Sequence, residues 1–217
     1  MFLASQPLAT FEGLNATTDL QAVLSEDIEK GFQRQGGTIR NETIPLHEDI
    51  PEEVTKQQTN IPHLRPIDYV FSERSLKYLH TITAEYFRTP LTEAFNWNEA
   101  AERLGEEQEG EWFIVAFRSI RNEQADHKKL YDADALAHEE AIRSGGLLKY
   151  WYGTLNENRE CLAMCIWSNR DFAKIATTKP LHLKAVSLAR QMYESYQLER
   201  YQLVKRKGEN HFHIVPL

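Results

Sequence analysis

The spacing of apolar and polar positions divides the carboxy-terminal half of the chain into short strands and amphipathic helices. WFIVAF (112–117) is apolar on both faces of an alternating pattern and predicts a buried strand. DADALAHEEAIRSGG (132–146) predicts a helix, with Asp132 or Asp134 as its cap and Gly145 and Gly146 as its stop. LLKYWYGTL (147–155) and CLAMCIW (161–167), joined by the polar tip NENRE, predict an antiparallel hairpin. Thr178 and Pro180 open a further helix whose stripe runs Leu181, Ala185, Leu188, Met192 and Tyr196. YQLVKR (201–206), the turn KGEN and HFHIVPL (211–217) then predict two closing strands.

The amino-terminal part reads differently. Residues 1–62 are polar, carry scattered turn formers and the acidic run HEDIPEE, and show no sustained period, so a flexible or loosely docked arm is expected. Residues 63–110 form a helical extension in this reading. Ser72 is the candidate cap, Leu76, Leu79, Ile82 and Tyr86 make one stripe, and the Thr89–Pro90 pair separates it from shorter helices through Phe95, Trp97 and Leu104. The acidic hinge GEEQEGE leads into the domain at 111–217.

Composition narrows the function classes. A formal net charge of -7 gives no reason to expect nucleic acid or an anionic membrane as partner. No apolar run approaches the ~20 residues of a membrane span, and the first residues lack the pattern of a secretory or mitochondrial leader, so a soluble, cytoplasmic protein is expected. On that expectation the sequons at Asn15 and Asn41 are chance. The two cysteines, Cys161 and Cys165, lie roughly 13 Å apart along one strand and cannot pair within it.

The order strand, helix, strand, strand, helix, strand is that of an α+β, ferredoxin-like unit: an antiparallel sheet with both helices on one face. Such a unit leaves its other face bare, and a homodimer through the sheet is the expected remedy. Within it, SGGLLKYWYGTLNENRECLAMCIWSNRDFA and KPLHLKA resemble the dimeric α/β-barrel domains related to antibiotic-biosynthesis monooxygenases, over about residues 110–206. Trp167, Ser168, Asp171, Phe172 and His182 carry the likeness, although Ser168 follows Trp167 directly and Cys165 stands where that family often has Glu. The same segment is closer to a fungal, UPF0643-like protein family, over the whole chain. The barrel resemblance implies a small-molecule enzyme or binder acting on a hydrophobic metabolite by oxidation, cyclisation or proton-transfer rearrangement, with haem or no cofactor at all. It does not fix the cofactor.

Alternation places Cys161, Ala163, Cys165 and Trp167 on one face of their strand. Facing the helices, the three small side chains leave room for a ligand under Trp167, unless Trp151 or Tyr193 fills the space. Trp167, Cys165, Ala163, Trp151 and Tyr150 are therefore the candidate substrate-binding residues. His182 and His138, on helix borders, are candidate acid–base groups, with capping or surface roles as the alternative. Tyr150 and Tyr152 share a face and offer phenol donors, or serve as aromatic core or interface. His211 and His213 also share a face, but two ligands fall short of a metal site and spacing fixes no third, so none is expected. Nucleotide, nucleophile-elbow and HExxH motifs are absent. The competing function is a non-catalytic homodimeric interaction module. A polar constellation in a cavity would favour the enzyme, and a filled core the module.

Overall fold

The structure, a computed structural model, describes residues 41–43 and 64–217. Apart from 41–43, the arm expected over residues 1–62 lies outside the described residues.

Strands β1 (Asn41–Thr43), β2 (Gly110–Arg121), β3 (Leu147–Tyr152), β4 (Glu160–Trp167), β5 (Tyr193–Lys205) and β6 (Phe212–Pro216) form a six-stranded sheet. Its order is β1-β3-β4-β2-β5-β6, and every neighbouring pair is antiparallel. Helices α4 (His127–Ser144) and α6 (Pro180–Met192) complete the ferredoxin-like βαββαβ unit with β2–β5. A short α5 (Arg170–Thr177) precedes α6. Before the sheet come α1 (Pro66–Arg74), a 3₁₀ turn (Leu76–Tyr78), α2 (Leu91–Ala94) and α3 (Trp97–Leu104). Among the described residues, no helix is long and apolar enough to cross a membrane.

The sheet separates two cores. On one side Phe113, Leu147 and Trp167 pack against Ala141 of α4 and Phe172, Ala173 and Ala176 of α5. On the other, Trp112, Ile114, Leu148, Trp151, Leu162, Met164 and Ile166 pack against Phe71, Leu76, Leu79, Leu91 and Phe95 of the preceding segment. The face expected to be bare is thus covered by residues 64–104 of the same chain. Phe71 and Trp112 make the closest aromatic contact of this core, with ring centroids 4.0 Å apart.

Two polar staples hold the extension down. Asp68 is fully buried and accepts five hydrogen bonds: from the Arg65 backbone N–H and its Nε and Nη2, from Trp112 Nε1 at 2.8 Å and from Ser168 Oγ at 2.7 Å. Arg118 of β2 pairs with Glu199 of β5 at 2.7 Å and donates to the carbonyls of Tyr86, Phe87 and Thr89. Its fork thereby satisfies three carbonyls of the loop before α2.

Several local expectations are corrected. Ser72 lies inside α1, fully buried, and the stripe from Leu76 to Tyr86 is not one helix: after the 3₁₀ turn the chain bends, Thr81 bridges to Phe95, and Ile82 is exposed. Leu76 and Leu79 are buried, but by a turn that delivers both to the sheet. Helix α4 starts earlier than expected, with the Asp126 side chain accepting from the Lys129 N–H as its cap. It ends at the glycines as expected. Gly146 has φ 75°, and a Cβ there would meet Phe172 at 2.1 Å. Tyr196 continues no helix: α6 stops at Met192, and β5 pairs with β2 from Gly110↔Lys205 to Arg121↔Tyr193. A buried strand as long as β2 must satisfy its N–H and C=O groups along its whole length, and that demand outweighs a helical spacing of four residues.

The buried cation on the extension side also follows from the sheet. A bulge between Leu147 and Lys149 turns Lys149 inward, where it is fully buried and donates to the Leu76 carbonyl at 2.6 Å. Desolvation pushes its ammonium down to about 8.

Two outcomes are expected in chemical denaturation. Asp68→Ala strands the Trp112 and Ser168 donors and lowers stability by about 2–4 kcal/mol. Lys149 binds fewer protons folded than unfolded between pH 8 and 10.5, so its penalty is present below pH 8 and is relieved as pH rises through that window. The wild type therefore gains up to about 3 kcal/mol on Lys149→Met across it, and a flat difference between the two would contradict the buried ammonium.

Candidate functional site

The two faces of β4 are buried unequally. Leu162, Met164 and Ile166, on the extension side, are all at 0% exposure. On the helix side Cys161 is buried at 9%, while Ala163 and Cys165 are only partly covered, although β4 is interior to the sheet. Their neighbours on this face, Phe117, Tyr150, Tyr152, Tyr193 and Tyr196, are also only partly buried. The cause lies above them. α6 has no fully buried residue and packs chiefly against α4, so it leans on its neighbour instead of sealing the sheet. Glu140 of α4 fixes that lean by accepting from the backbone N–H groups of Leu181 and His182 at 2.9 and 3.0 Å. A carboxylate from one helix thus caps the other, where the helix dipole favours negative charge. The result is a sheet face of small side chains bordered by aromatics, several of them only partly covered.

A polar group meets this face from α4. Both oxygens of Asp134 accept from the Tyr150 hydroxyl, at 2.8 and 2.9 Å. Burial raises the Asp134 carboxyl to about 6, opposed by the Tyr150 hydrogen bond and the Arg121 charge. Burial, and then the Asp134 charge, holds the Tyr150 phenol well above its ordinary value. Tyr150 therefore remains a donor, while Asp134 is a base poised just below neutrality. His138, one turn after Asp134, places its ring 4.9 Å from that of Tyr150, and the Tyr152 ring lies 5.6 Å from Tyr150. At the end of β2, Arg121 is buried, donates to His127 Nδ1 at 2.9 Å and stacks over Tyr131 at 4.6 Å. Tyr193 and Tyr196 stack at 6.0 Å, with their phenols pushed upward by burial.

Of the residues singled out from the sequence, the fold brings together His138, Tyr150, Tyr152, Ala163 and Cys165. Trp151 faces the other core, edge-on to Tyr86 and Phe95 at 5.4 and 4.8 Å, because alternation sends it away from Tyr150 and Tyr152. Trp167 is a packed joint at 5% exposure. The following Ser168 bonds Asp68, and Asn169 caps α5 through the N–H groups of Asp171 and Phe172. His182 sits at the α4–α6 joint beside Glu140, partly buried and shifted downward by desolvation. The thiols are suited to packing: burial pushes Cys161 up to about 11 and Cys165 further. Asp134 and Arg121 are additions from the structure. The one reads in sequence as a helix cap, and the other lies beyond the strand read at 112–117.

Comparison with known proteins places this geometry in context. The pattern of the PB2B2.08-like family matches residues 51–216. The UPF0643 protein PB2B2.08 of Schizosaccharomyces pombe is 33% identical over 102 residues, 44% of this chain and 46% of that one, so the match spans about half the length of the curated relative. Among solved structures, a Shewanella oneidensis protein is 15% identical, with TM-score 0.40 over 46% of this chain and 98% of its own. SnoaB, a cofactor-independent oxygenase from Streptomyces nogalater, is 14% identical, with TM-score 0.34 over 41% of this chain and 90% of its own. The family match extends from before the extension through the last strand and covers both cores: the chain belongs to the PB2B2.08-like family.

Proposed function

We propose that the chain is a small-molecule enzyme whose helix-side sheet face takes a hydrophobic, aromatic metabolite and moves a proton on it. The observation that carries this reading is the Asp134–Tyr150 pair, a carboxylate raised to about 6 in contact with a phenol held protonated. Asp134 is the base. Tyr150 shares its one hydroxyl proton between both of its oxygens and fixes its orientation; once Asp134 has taken a proton it can donate to the Tyr150 oxygen, which frees that hydroxyl for charge on a substrate oxygen. Tyr152, Tyr193, Tyr196 and Phe117 give flat apolar walls suited to an aromatic ligand. Of the reaction types implied by the barrel resemblance, proton-transfer rearrangement is the one these side chains support directly. A buried carboxylate and phenol in contact beside partly exposed aromatic side chains also favour the enzyme over a non-catalytic interaction module.

The test is binding followed by exchange. Ligand-observed NMR against a panel of aromatic hydroxyketones identifies binders, and solvent deuterium exchange at their acidic C–H positions reports base catalysis. Exchange should rise with pH as Asp134 ionises through about 6 and fall at least about 100-fold in Asp134→Asn. Binding without Asp134-dependent exchange would reduce the proposal to a binder.

Two further outcomes separate site from scaffold. Ala163→Phe places a ring over the proposed binding face and abolishes ligand binding, with a cost in stability of no more than about 1–3 kcal/mol at this partly exposed position. Asp134 binds more protons folded than unfolded between pH 3.8 and about 6, so it costs stability above that window and the cost disappears as pH falls through it. The wild type therefore gains up to about 3 kcal/mol on Asp134→Asn between pH 7 and 4, read from denaturation midpoints.

A further inference from the structure

The turn between β5 and β6 supplies what the spacing of His211 and His213 lacks. Glu209 folds back so that one ligand atom from each of Glu209, His211 and His213 lies within 4.8 Å of the other two. His213 Nε2 is 2.5 Å and His211 Nε2 3.6 Å from the same carboxylate oxygen, Glu209 Oε2. The two imidazoles meet edge-on, with centroids 4.7 Å apart and planes at 62°, so they converge without stacking. All three side chains remain reachable from solvent, His211 the most at 52% exposure.

The turn is braced independently of any ion. Lys205 is buried at 1% exposure, and its ammonium donates to the carbonyls of Gln108, Arg206 and Glu209. The Gly208 N–H donates to the Glu106 carbonyl at 2.8 Å, and the Asn210 amide donates to the Glu106 carboxylate. Ligand geometry is thus set by the fold, so an ion need not order the loop to bind. The nearest competing charge on the carboxylate is Arg206, whose Nη1 is 3.9 Å from Glu209 Oε1 and whose side chain is 65% exposed, so it can turn into water.

We propose that Glu209, His211 and His213 form a three-ligand site for a borderline divalent transition cation of the zinc class, with the remaining coordination position open to water. Two imidazole nitrogens and one carboxylate suit such a cation, whereas Mg²⁺ and Ca²⁺ require an oxygen shell that this turn does not offer. Ligand atoms about 2.0–2.1 Å from a tetrahedral ion lie about 3.3 Å from one another. The observed set reaches that spacing through side-chain shifts of an ångström or so. The site lies on an edge hairpin and does not depend on the proton chemistry proposed at Asp134.

The experiment uses the full chain, stripped with a chelator and exchanged into metal-free buffer. Isothermal titration with Zn²⁺ should show one equivalent bound with a Kd of about 10 µM or tighter. Co²⁺ should give the visible absorption of a low-coordinate nitrogen–oxygen site, and Mg²⁺ should give neither heat nor absorption. His213→Ala and Glu209→Gln should each weaken Zn²⁺ binding by about tenfold or more with an unchanged circular dichroism spectrum. His211→Ala, at the most exposed ligand, reads the same loss should either of the others fail to fold. No saturable one-equivalent binding below about 100 µM, or binding that survives these substitutions in folded variants, would overturn the proposal.

Discussion

The structure depends on one buried carboxylate. Asp68 lies at zero exposure and offsets the loss of water with donors from three separate segments: Arg65 beside it, Trp112 on the central strand and Ser168 at the corner after β4. A buried carboxyl group in that position is tolerable only when its donors are in place. The extension can therefore dock in one register. With that register set, Phe71 meets Trp112, Leu76 and Leu79 reach the sheet, and the Leu76 carbonyl lies where the buried Lys149 can find it.

Firm closure of one face allows openness on the other. The extension side is packed with large apolar side chains at or near zero exposure, so it can supply the larger share of hydrophobic stabilisation. The helix side is packed most fully toward the Trp167 end, where α5 closes on Phe113 and Leu147, and α4 carries its buried stripe of Leu130, Ala133 and Ala137 toward the other end. Toward the Cys161 end the small side chains of β4 and the outward lean of α6 leave the tyrosines partly uncovered, and Asp134 carries an unfavourable burial there. A site that costs stability sits beside the weaker core and across the sheet from the stronger one.

The sheet is largely legible in the sequence. The apolar run of β2, the hairpin of β3 and β4 and the closing strand β6 each carry a period or turn signal strong enough to survive folding, and together they give the ferredoxin-like order. What escapes has a physical cause. The helix α5, two turns long, announces itself only through its Asn169 cap, and RDFAKIAT reads equally well as a polar corner. The boundary at Met192 is set by the length of β2, a long-range demand with no local mark. Alternation is enough to put Ala163, Cys165, Tyr150 and Tyr152 on a common face and equally to remove Trp151 from it. Asp134 stays hidden because a carboxylate near an apparent helix start looks like a cap, and the true cap, Asp126, lies earlier in the chain. The Trp167 corner resembles a reactive motif, but its serine and asparagine are fully engaged in joining elements.

Covering the second sheet face with residues 64–104 changes how the burial responds to dilution. When two separate molecules bury such a face, mass action governs the occupancy and a dilute solution exposes it. Here the covering segment is tethered to the sheet it covers, at an effective concentration set by the connecting chain. The free energy of that core accordingly carries no concentration term, whatever other association the molecule undertakes.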